Sequence, residues 1–173
     1  FEDKNFSLSD EQKDAVEKIV NSNKKEFFYL YGLTGSGKTE VFLKAAEKII
    51  AEGKAVIYLV PEIGLTHQVI SAAVKRFGSQ AAVLHSGLTG SERLNQWMRI
   101  RRGEALMIVG ARSAVFAPAK NIGLIIIDEE HDASYKSGSV PRYHARQTAM
   151  YLAVKHNCPV VMGSATPSLE AWN

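Results

Sequence analysis

The sequence is poor in residues that would support disulfide, membrane or metal-cage chemistry. Of its 173 residues only Cys158 is a cysteine, which excludes an internal disulfide and a zinc site built from several cysteines. No apolar run approaches the ~20 residues that a membrane-spanning helix needs. The first ten residues, FEDKNFSLSD, are acidic rather than apolar, unlike a signal peptide. Repeats and low-complexity tracts are also missing, so we expect one domain, residues 1–173.

A strong charge of either sign is absent as well. The net charge of +3 and the pI of about 9.0 mildly favour a polyanionic partner, although a domain of this size reaches such a charge by chance. The chain begins at Phe1 and stops at Asn173 within TPSLEAWN, a segment that predicts the start of a helix. We therefore expect an excised piece of a longer protein.

Apolar runs alternate along the chain with amphipathic segments. Most of the runs are apolar at successive positions, as in strands that are buried on both faces. They are FFYLY (27–31), AVIYLV (55–60), AAVL (81–84), ALMIV (105–109), IGLIII (122–127) and PVVM (159–162). Segments 39–52, 91–102 and 142–156 each place apolar residues on one helical stripe. The alternation predicts an α/β fold, a parallel sheet of about six or seven strands with helices on both faces.

The stretch GLTGSGKT, residues 32–39, directly follows the first strand-like run and matches the pattern G-x-x-x-x-G-K-[ST] in full. Its glycines allow backbone N–H groups to converge on a phosphate, and the following helix adds its positive end. The predicted nucleotide-binding residues are Gly32, Thr34, Gly35, Ser36, Gly37, Lys38 and Thr39. The Lys38 head is expected to point into the loop towards the phosphates, and Thr39 to hold Mg²⁺. A glycine-rich turn without a ligand is the alternative.

A second polar stretch, DEEH, ends the buried run at residues 128–131. Carboxylates are costly to desolvate, so acids at the end of a buried strand indicate that they face a polar site. We expect Asp128 to hold the Mg²⁺ shell and Glu129 to orient or deprotonate an attacking water. A solvated loop is the alternative. In GSATPS, Ser164 and Thr166 are hydroxyl donors at another strand end, and they can equally cap a helix that begins at Pro167.

Taken in order, these motifs resemble the first RecA-like lobe of superfamily-two helicases. Longer strings resemble the PriA (primosomal protein N′) family of replication-restart helicases. They are LSDEQ (8–12), GLTGSGKTEVF (32–42), LVPEIGLTHQ (59–68), LHSGLT (84–89), GARSAVFAP (110–118), DEEHDASYK (128–136), PRYHAR (141–146) and GSATPSLE (163–170). The resemblance implies a P-loop NTPase with a RecA-like fold. It also implies that this domain is the motor of a DNA helicase that uses ATP and Mg²⁺ and moves 3′ to 5′ along DNA.

The same resemblance implies partners and a location. It implies binding to single-stranded and forked DNA, and to primosome and single-strand-binding proteins in the full-length protein. It also implies zinc only in a part of that protein outside this chain. We expect a monomer in the bacterial cytoplasm with no membrane partner.

Residue roles follow from the resemblance only. Gln12 would read adenine, although Ser9 and Gln12 also match a helix capping box. His131 would be catalytic, bridging the nucleotide site to Ser164 and Thr166. DNA contacts would come from Pro61, Glu62, Leu65, Thr66, Gly110, Ala111, Arg112, Ser113, Tyr135, Lys136, Arg142, Tyr143, His144 and Arg146. For Arg112, a structural ion pair is the alternative.

The predicted motor lacks one part within these residues. A helicase of this type takes a catalytic arginine from a second lobe, so we expect this chain alone to bind nucleotide and to hydrolyse it poorly. Three alternatives remain open. They are another superfamily-two motor for repair, fork reversal or restriction, a small-molecule P-loop kinase, and a non-enzymatic nucleotide-gated binding module.

Overall fold

The sheet is the frame of the molecule. The computed structural model describes residues 8–31, 37–129 and 144–164, with only the backbone described at Ser164. Six parallel strands run in the order β1-β6-β5-β2-β4-β3. They are β1 (Phe27–Tyr31), β2 (Ala55–Leu59), β3 (Ala81–Leu84), β4 (Met107–Gly110), β5 (Ile122–Ile127) and β6 (Val160–Ser164). The predicted parallel α/β architecture is therefore observed.

Helices cover both faces of the sheet, as predicted. They are α1 (Asp10–Asn21), α2 (Lys38–Ala51), α3 (His67–Phe77), α4 (Gly90–Arg101) and α5 (Ala145–His156). Apolar residues of α1, α2 and α3 pack on one face, and those of α4 and α5 pack on the other. Strand β2 supplies both cores, because successive side chains point to opposite faces. Ile57 faces α4 and α5, whereas Tyr58 faces α2 and α3.

Side-chain caps fix where several helices begin. The Ser9 hydroxyl accepts the Gln12 backbone N–H at 3.2 Å, and the side-chain Oε1 of Gln12 accepts the Ser9 backbone N–H at 2.8 Å. The predicted capping box is therefore confirmed. Thr89 and Glu92 form a second capping box at α4. Thr66 caps α3 by accepting the Val69 N–H at 3.3 Å. These caps orient three helices whose amino ends lie near the carboxyl ends of strands.

One ion-pair cluster ties α3 to α2. The Arg76 guanidinium donates from Nη1 and Nη2 to the two carboxylate oxygens of Glu40, both at 2.9 Å, and from Nε to Glu47 at 2.6 Å. The three side chains, which we call the Arg76 cluster, are 23%, 26% and 35% exposed. The bidentate geometry matches the planar fork of arginine.

The observed bounds differ from the predicted ones by small amounts. Strand β4 begins two residues later than the predicted run, at Met107, and β2 ends at Leu59. Helix α3 was not predicted, although its inward residues Ile70, Ala73 and Phe77 follow helical spacing. Within the described part of the chain, α5 begins at Ala145, and the first two residues of the predicted segment 142–156 lie outside that part.

Candidate active site

The candidate site lies where α2 begins beside the carboxyl ends of β5 and β6. Lys38 is the first residue of α2, and Asp128 and Glu129 directly follow β5. The Lys38 Nζ lies 3.2 Å from Asp128 Oδ1 and 3.0 Å from Glu129 Oε1. The sheet therefore brings Lys38 to two adjacent acids that lie about ninety positions further along the chain. We call the three residues the Lys38 cluster.

The Lys38 head makes an ion pair with each of the two carboxylates. Its side chain is only 7% exposed, and those of Asp128 and Glu129 are 15% and 31% exposed. Loop residues 32–36, into which the head was expected to point, lie outside the described residues. A nucleotide phosphate would have to compete with these carboxylates for the ammonium group.

Three donors hold the Asp128 carboxylate. Its Oδ1 accepts the Glu129 backbone N–H at 3.0 Å and faces the Lys38 ammonium, and its Oδ2 accepts the Tyr58 hydroxyl at 3.2 Å. The Asp128 N–H donates to the Leu59 carbonyl at 2.9 Å, which continues the pairing of β5 with β2. These bonds fix the rotamer of the carboxylate relative to α2 and to the sheet.

Burial and charge shift the protonation equilibria of the cluster in different ways. Burial lowers the pKa of Lys38, but the nearby Asp128 and Glu129 outweigh it, so the pKa is raised and the ammonium keeps its charge. Burial, helped by the Glu129 charge, raises the pKa of Asp128 although Lys38 acts to lower it. Two carboxylates facing one ammonium leave a surplus negative charge when all are ionised. Such a site suits a phosphate that arrives together with a divalent cation.

Gly37 joins this cluster to α1. It has φ 86°, in the left-handed region, and a Cβ placed there would collide with the side-chain amide of Gln12. Gln12 thus caps α1 and touches the start of α2 at once. The capping interpretation is confirmed, and the adenine-reading role stays a prediction.

The donor set fits a magnesium-bound nucleotide. Glycine at the amino end of α2 offers no side-chain cap, so the first helix N–H groups suit a phosphate oxygen. Lys38, Thr39 and Asp128 provide one cation, one hydroxyl and one carboxylate beside it. Across the described ranges, no group of three or more His, Cys, Asp or Glu side chains could hold a metal ion. Mg²⁺ needs no such cage, because it is commonly held by one or two protein ligands, phosphates and water.

Glu129 has an unusual backbone conformation. Its φ is 49°, in the left-handed region that residues other than glycine adopt rarely. The hydrogen bond from its N–H to Asp128 Oδ1 stabilises this turn. The turn directs the Glu129 carboxylate back to Lys38 instead of continuing the direction of β5.

Tyr58 was not identified from the sequence. Its ring is 4% exposed and packs edge-on against Phe42, with ring centres 5.8 Å apart. Its hydroxyl donates to Asp128 Oδ2 at 3.2 Å. Burial, and next the Asp128 charge, raise the pKa of the phenol well above its ordinary value, so it stays protonated. A tyrosine within an apolar run gives no sequence signal that distinguishes this position from ordinary core.

The two predicted DNA-contacting segments meet at the same edge of the sheet. Short helical turns, Glu62–Gly64 after β2 and Arg112–Phe116 after β4, contribute Glu62 and Ser113 to one cavity of about 130 Å³. Residues after β3 line it too, and the Arg93 guanidinium donates to the His85 carbonyl at 3.1 Å. Roles for His85 and Arg93 were not predicted. The rule that ligands bind at strand carboxyl ends would have pointed to them.

Several predicted DNA-contacting residues have structural partners. Thr66 caps α3, and His144 Nδ1 accepts the Arg146 N–H at 3.0 Å where α5 begins. Gly110 has no room for a side chain, because a Cβ would lie 2.6 Å from Ala114 and 2.9 Å from the Leu84 carbonyl. Pro61 is buried beside Val60. Their DNA contacts stay predictions.

Ten other predicted residues lie outside the described part of the chain. They are Gly32, Thr34, Gly35, Ser36, His131, Tyr135, Lys136, Arg142, Tyr143 and Thr166. The backbone of Ser164 ends β6 beside Tyr31 of β1. None of the helices in the described ranges has the length and apolar character needed to cross a membrane.

Comparisons with known proteins agree with the predicted family. The family model described as DEAD/DEAH box helicase matches residues 9–172. The replication restart protein PriA of Treponema pallidum (strain Nichols) is 62% identical over 167 residues, which cover 96% of this chain and 25% of that protein. PriA of Bacillus subtilis (strain 168) is 51% identical over 181 residues, covering 99% and 22%. The chain thus spans about a quarter of the length of these curated relatives.

Solved structures confirm the fold. RecG bound to a three-way DNA junction superposes with a TM-score of 0.70 at 25% identity, over 96% of this chain and 22% of that one. A hypothetical ATP-dependent RNA helicase from Sulfolobus tokodaii superposes with a TM-score of 0.66 at 16% identity, over 97% and 49%. The predicted RecA-like fold and the predicted resemblance to PriA proteins are therefore confirmed.

Proposed function

Since the chain belongs to the DEAD/DEAH box helicase family, we propose that it is the ATP-binding motor lobe of a DNA helicase that restarts replication. One observation carries the proposal. Lys38 at the start of α2 lies within 3.2 Å of two carboxylates that end a central strand. That arrangement combines a phosphate-binding cation with acids suited to Mg²⁺ and water. The names of the PriA relatives supply the biological process.

Nucleotide binding would begin with an exchange of partners at Lys38. A β- or γ-phosphate oxygen takes the place of a carboxylate next to the ammonium group, while the loop and the first N–H groups of α2 bind the phosphate from the other side. Thr39 and Asp128 would hold Mg²⁺, which neutralises charge on the phosphates when bound. The two nearby carboxylates keep the lysine charged until the exchange takes place.

Hydrolysis would depend on Glu129. The carboxylate of Glu129 is more exposed than that of Asp128, at 31%, and a left-handed turn directs it to Lys38 Nζ, the proposed phosphate-binding cation. In this position it can orient an attacking water and accept its proton. His131, two residues further along, would link this event to Ser164 and Thr166 and so to DNA movement.

The catalytic arginine would come from a second RecA-like lobe outside these 173 residues. Loss of such an arginine typically reduces turnover by about 10³–10⁵-fold. We therefore expect the chain alone to bind nucleotide and to hydrolyse it near background. Translocation from 3′ to 5′, and zinc in another region, belong to the proposal for the whole protein.

DNA would bind across the carboxyl edge of the sheet. The segments around Glu62 and Ser113, which share a cavity, offer backbone N–H groups and hydroxyls for phosphates. The proposed substrates are single-stranded and forked DNA. The proposed partners are primosome and single-strand-binding proteins, met in the bacterial cytoplasm by a monomeric chain.

A second candidate has one observation in its favour. The RecG likeness, 25% identical with a TM-score of 0.70, agrees with a motor that acts on DNA junctions outside replication restart. The 62% and 51% identities to PriA proteins favour restart. The two candidate functions are distinguished by whether the longer protein loads a replicative helicase onto a forked template or only regresses the fork.

The test compares ATP hydrolysis by the 173-residue chain with that by the longer protein, each with and without single-stranded DNA. We expect background rates from the chain alone, and DNA-stimulated hydrolysis once the following lobe is included. ADP titration by calorimetry on the chain alone verifies that it binds nucleotide. Rapid hydrolysis by residues 1–173 alone would contradict the proposal and favour a self-contained P-loop enzyme such as a small-molecule kinase.

A further inference from the structure

Tyr58 contacts one of the two residues that are proposed to hold Mg²⁺. Its hydroxyl donates to Asp128 Oδ2 at 3.2 Å. Tyr58 lies on β2 and Asp128 directly follows β5, so the hydrogen bond links two paired strands at the edge of the site.

The polarity of this hydrogen bond follows from the proton inventory. A phenol has one proton, and the ionised Asp128 carboxylate can only accept it. The bond therefore fixes the orientation of Oδ2 while Oδ1 faces the Lys38 ammonium.

Packing keeps the phenol in this position. Tyr58 pairs with Ile126 across the β2–β5 ladder, and its ring packs edge-on against Phe42 of α2. Phe42 is fully buried, and a Cβ at Gly163 would lie 2.6 Å from its ring. Phe42 of α2 and the paired strand β5 thus hold the Tyr58 ring in place, and its hydroxyl has little freedom to turn elsewhere.

We propose that Tyr58 is a positioning residue for the magnesium-bound nucleotide, orienting the Asp128 carboxylate as a preformed ligand. The inference rests on the proposed function, because it needs a nucleotide bound with Mg²⁺. It assigns to a core tyrosine a role that neither the P-loop pattern nor the acidic motif contains.

The experiment measures how much Mg²⁺ strengthens ADP binding. ADP is titrated into the 173-residue chain by calorimetry, once with Mg²⁺ and once with EDTA, for the wild type, Tyr58→Phe and Tyr151→Phe. Tyr151 is the matched control, since it is 67% exposed on α5. We expect Tyr58→Phe to reduce the gain in affinity from Mg²⁺ about tenfold, as for the loss of one hydrogen bond to a charged group. Binding in EDTA should stay unchanged, and Tyr151→Phe should match the wild type.

A double-mutant cycle tests whether the effect passes through the carboxylate. In the Asp128→Asn background, adding Tyr58→Phe should change the gain from Mg²⁺ far less than it does in the wild type. Equal effects in both backgrounds would overturn the inference, as would a Tyr58→Phe variant with the full gain. A Tyr58→Phe variant that fails to fold would assign the hydroxyl to stability and overturn it too. A wild type in which Mg²⁺ brings no gain would overturn both this inference and the proposed function.

Discussion

The Lys38 cluster and the Arg76 cluster share one charge arrangement but lie in different environments. Each places one cation between two carboxylates. The Lys38 side chain is 7% exposed at the ends of strands, whereas Arg76 is 23% exposed between two helices. Arg76 directs three N–H donors at fixed angles to Glu40 and Glu47, at 2.6–2.9 Å. Lys38 makes looser contacts of 3.0 and 3.2 Å.

The difference lies in how readily each cation can change partners. An ammonium is a point charge on a flexible stem, so it can turn from a carboxylate to a phosphate without losing a matched geometry. The Arg76 guanidinium would have to give up three directed N–H bonds to change partners. The bonds that each cation would lose thus separate a cluster suited to ligand exchange from one that ties helices together. Four predictions test this separation.

The largest effect is expected at Glu129. In the longer protein that includes the second lobe, Glu129→Gln should reduce ATP turnover by about 10²–10⁴-fold while leaving ATP affinity similar, because the amide keeps the shape and loses the basicity. Glu47→Gln, which alters the Arg76 cluster, is the matched control and should leave turnover unchanged. Steady-state ATPase and nucleotide titration measure both quantities. Equal losses in both variants would remove the distinction between the clusters.

The next effect concerns nucleotide affinity. Lys38→Ala removes the cation that meets the phosphates and should weaken ADP binding about tenfold to a hundredfold, as for the loss of hydrogen bonds to charged groups. It also leaves Asp128 and Glu129 without a cation, so the melting temperature should fall. Calorimetry and a thermal melt measure the two changes. Lys48→Ala, on the exposed side of the same helix, should change neither. Unchanged affinity in Lys38→Ala would contradict the phosphate-binding role.

Arg76 should affect stability and leave nucleotide binding alone. Arg76→Met leaves Glu40 without this cation and Glu47 with only Lys44, at 3.5 Å, so the free energy of unfolding should fall by about 1–2 kcal/mol. Arg76→Lys should recover only part of it, because an ammonium cannot reproduce the bidentate contact. Urea unfolding measures the loss and ADP titration supplies the comparison. An ADP affinity that changed tenfold would show that the Arg76 cluster is part of the site.

The smallest effect is a pH dependence at Glu47. Burial raises the pKa of its carboxyl, but Arg76 and, less strongly, Lys44 together outweigh burial and hold the pKa below its ordinary value. The stabilisation is therefore present above the ordinary pKa and lost as pH falls through the lowered one. Wild type and Glu47→Gln should differ by less than about 1 kcal/mol near neutral pH, because the pair is partly exposed. The two unfolding curves should converge in acid, and a gap that persisted there would exclude the ion pair as its cause.

Much of the fold could be predicted from local pattern. The strands of a doubly covered parallel sheet are apolar throughout, so runs such as 27–31, 81–84 and 122–127 coincide with observed strands. Helix α3 was not predicted from the pattern, because its apolar stripe is short: only Ala73 and Phe77 are buried, and Ile70 is half-buried. The later bound of β4 has a local reason, since Ala105 and Leu106 bond outside the β4 ladder, to Arg99 and Gln80, before pairing begins.

The candidate site was predictable where a motif carries its own chemistry. Lys38, Asp128 and Glu129 stand in patterns whose spacing implies their meeting at one sheet edge, and they do meet. Tyr58 and Arg76 were not predictable in this way. The phenol reaches Asp128 only through the register of β2 against β5, and the guanidinium reaches Glu40 only through the packing of two helices. Such contacts depend on tertiary geometry, which residue types at fixed spacing do not encode.

The left-handed backbone at Glu129 has a consequence for protein engineering. A non-glycine residue at φ 49° is strained by about 1 kcal/mol or more, which glycine would relieve. Selection for heat resistance alone would therefore favour glycine at the one position that the proposed hydrolysis can least spare. A consensus or computational redesign of this lobe that rewards stability would trade activity for a higher melting temperature at this turn. Any thermostable variant library should keep residue 129 fixed.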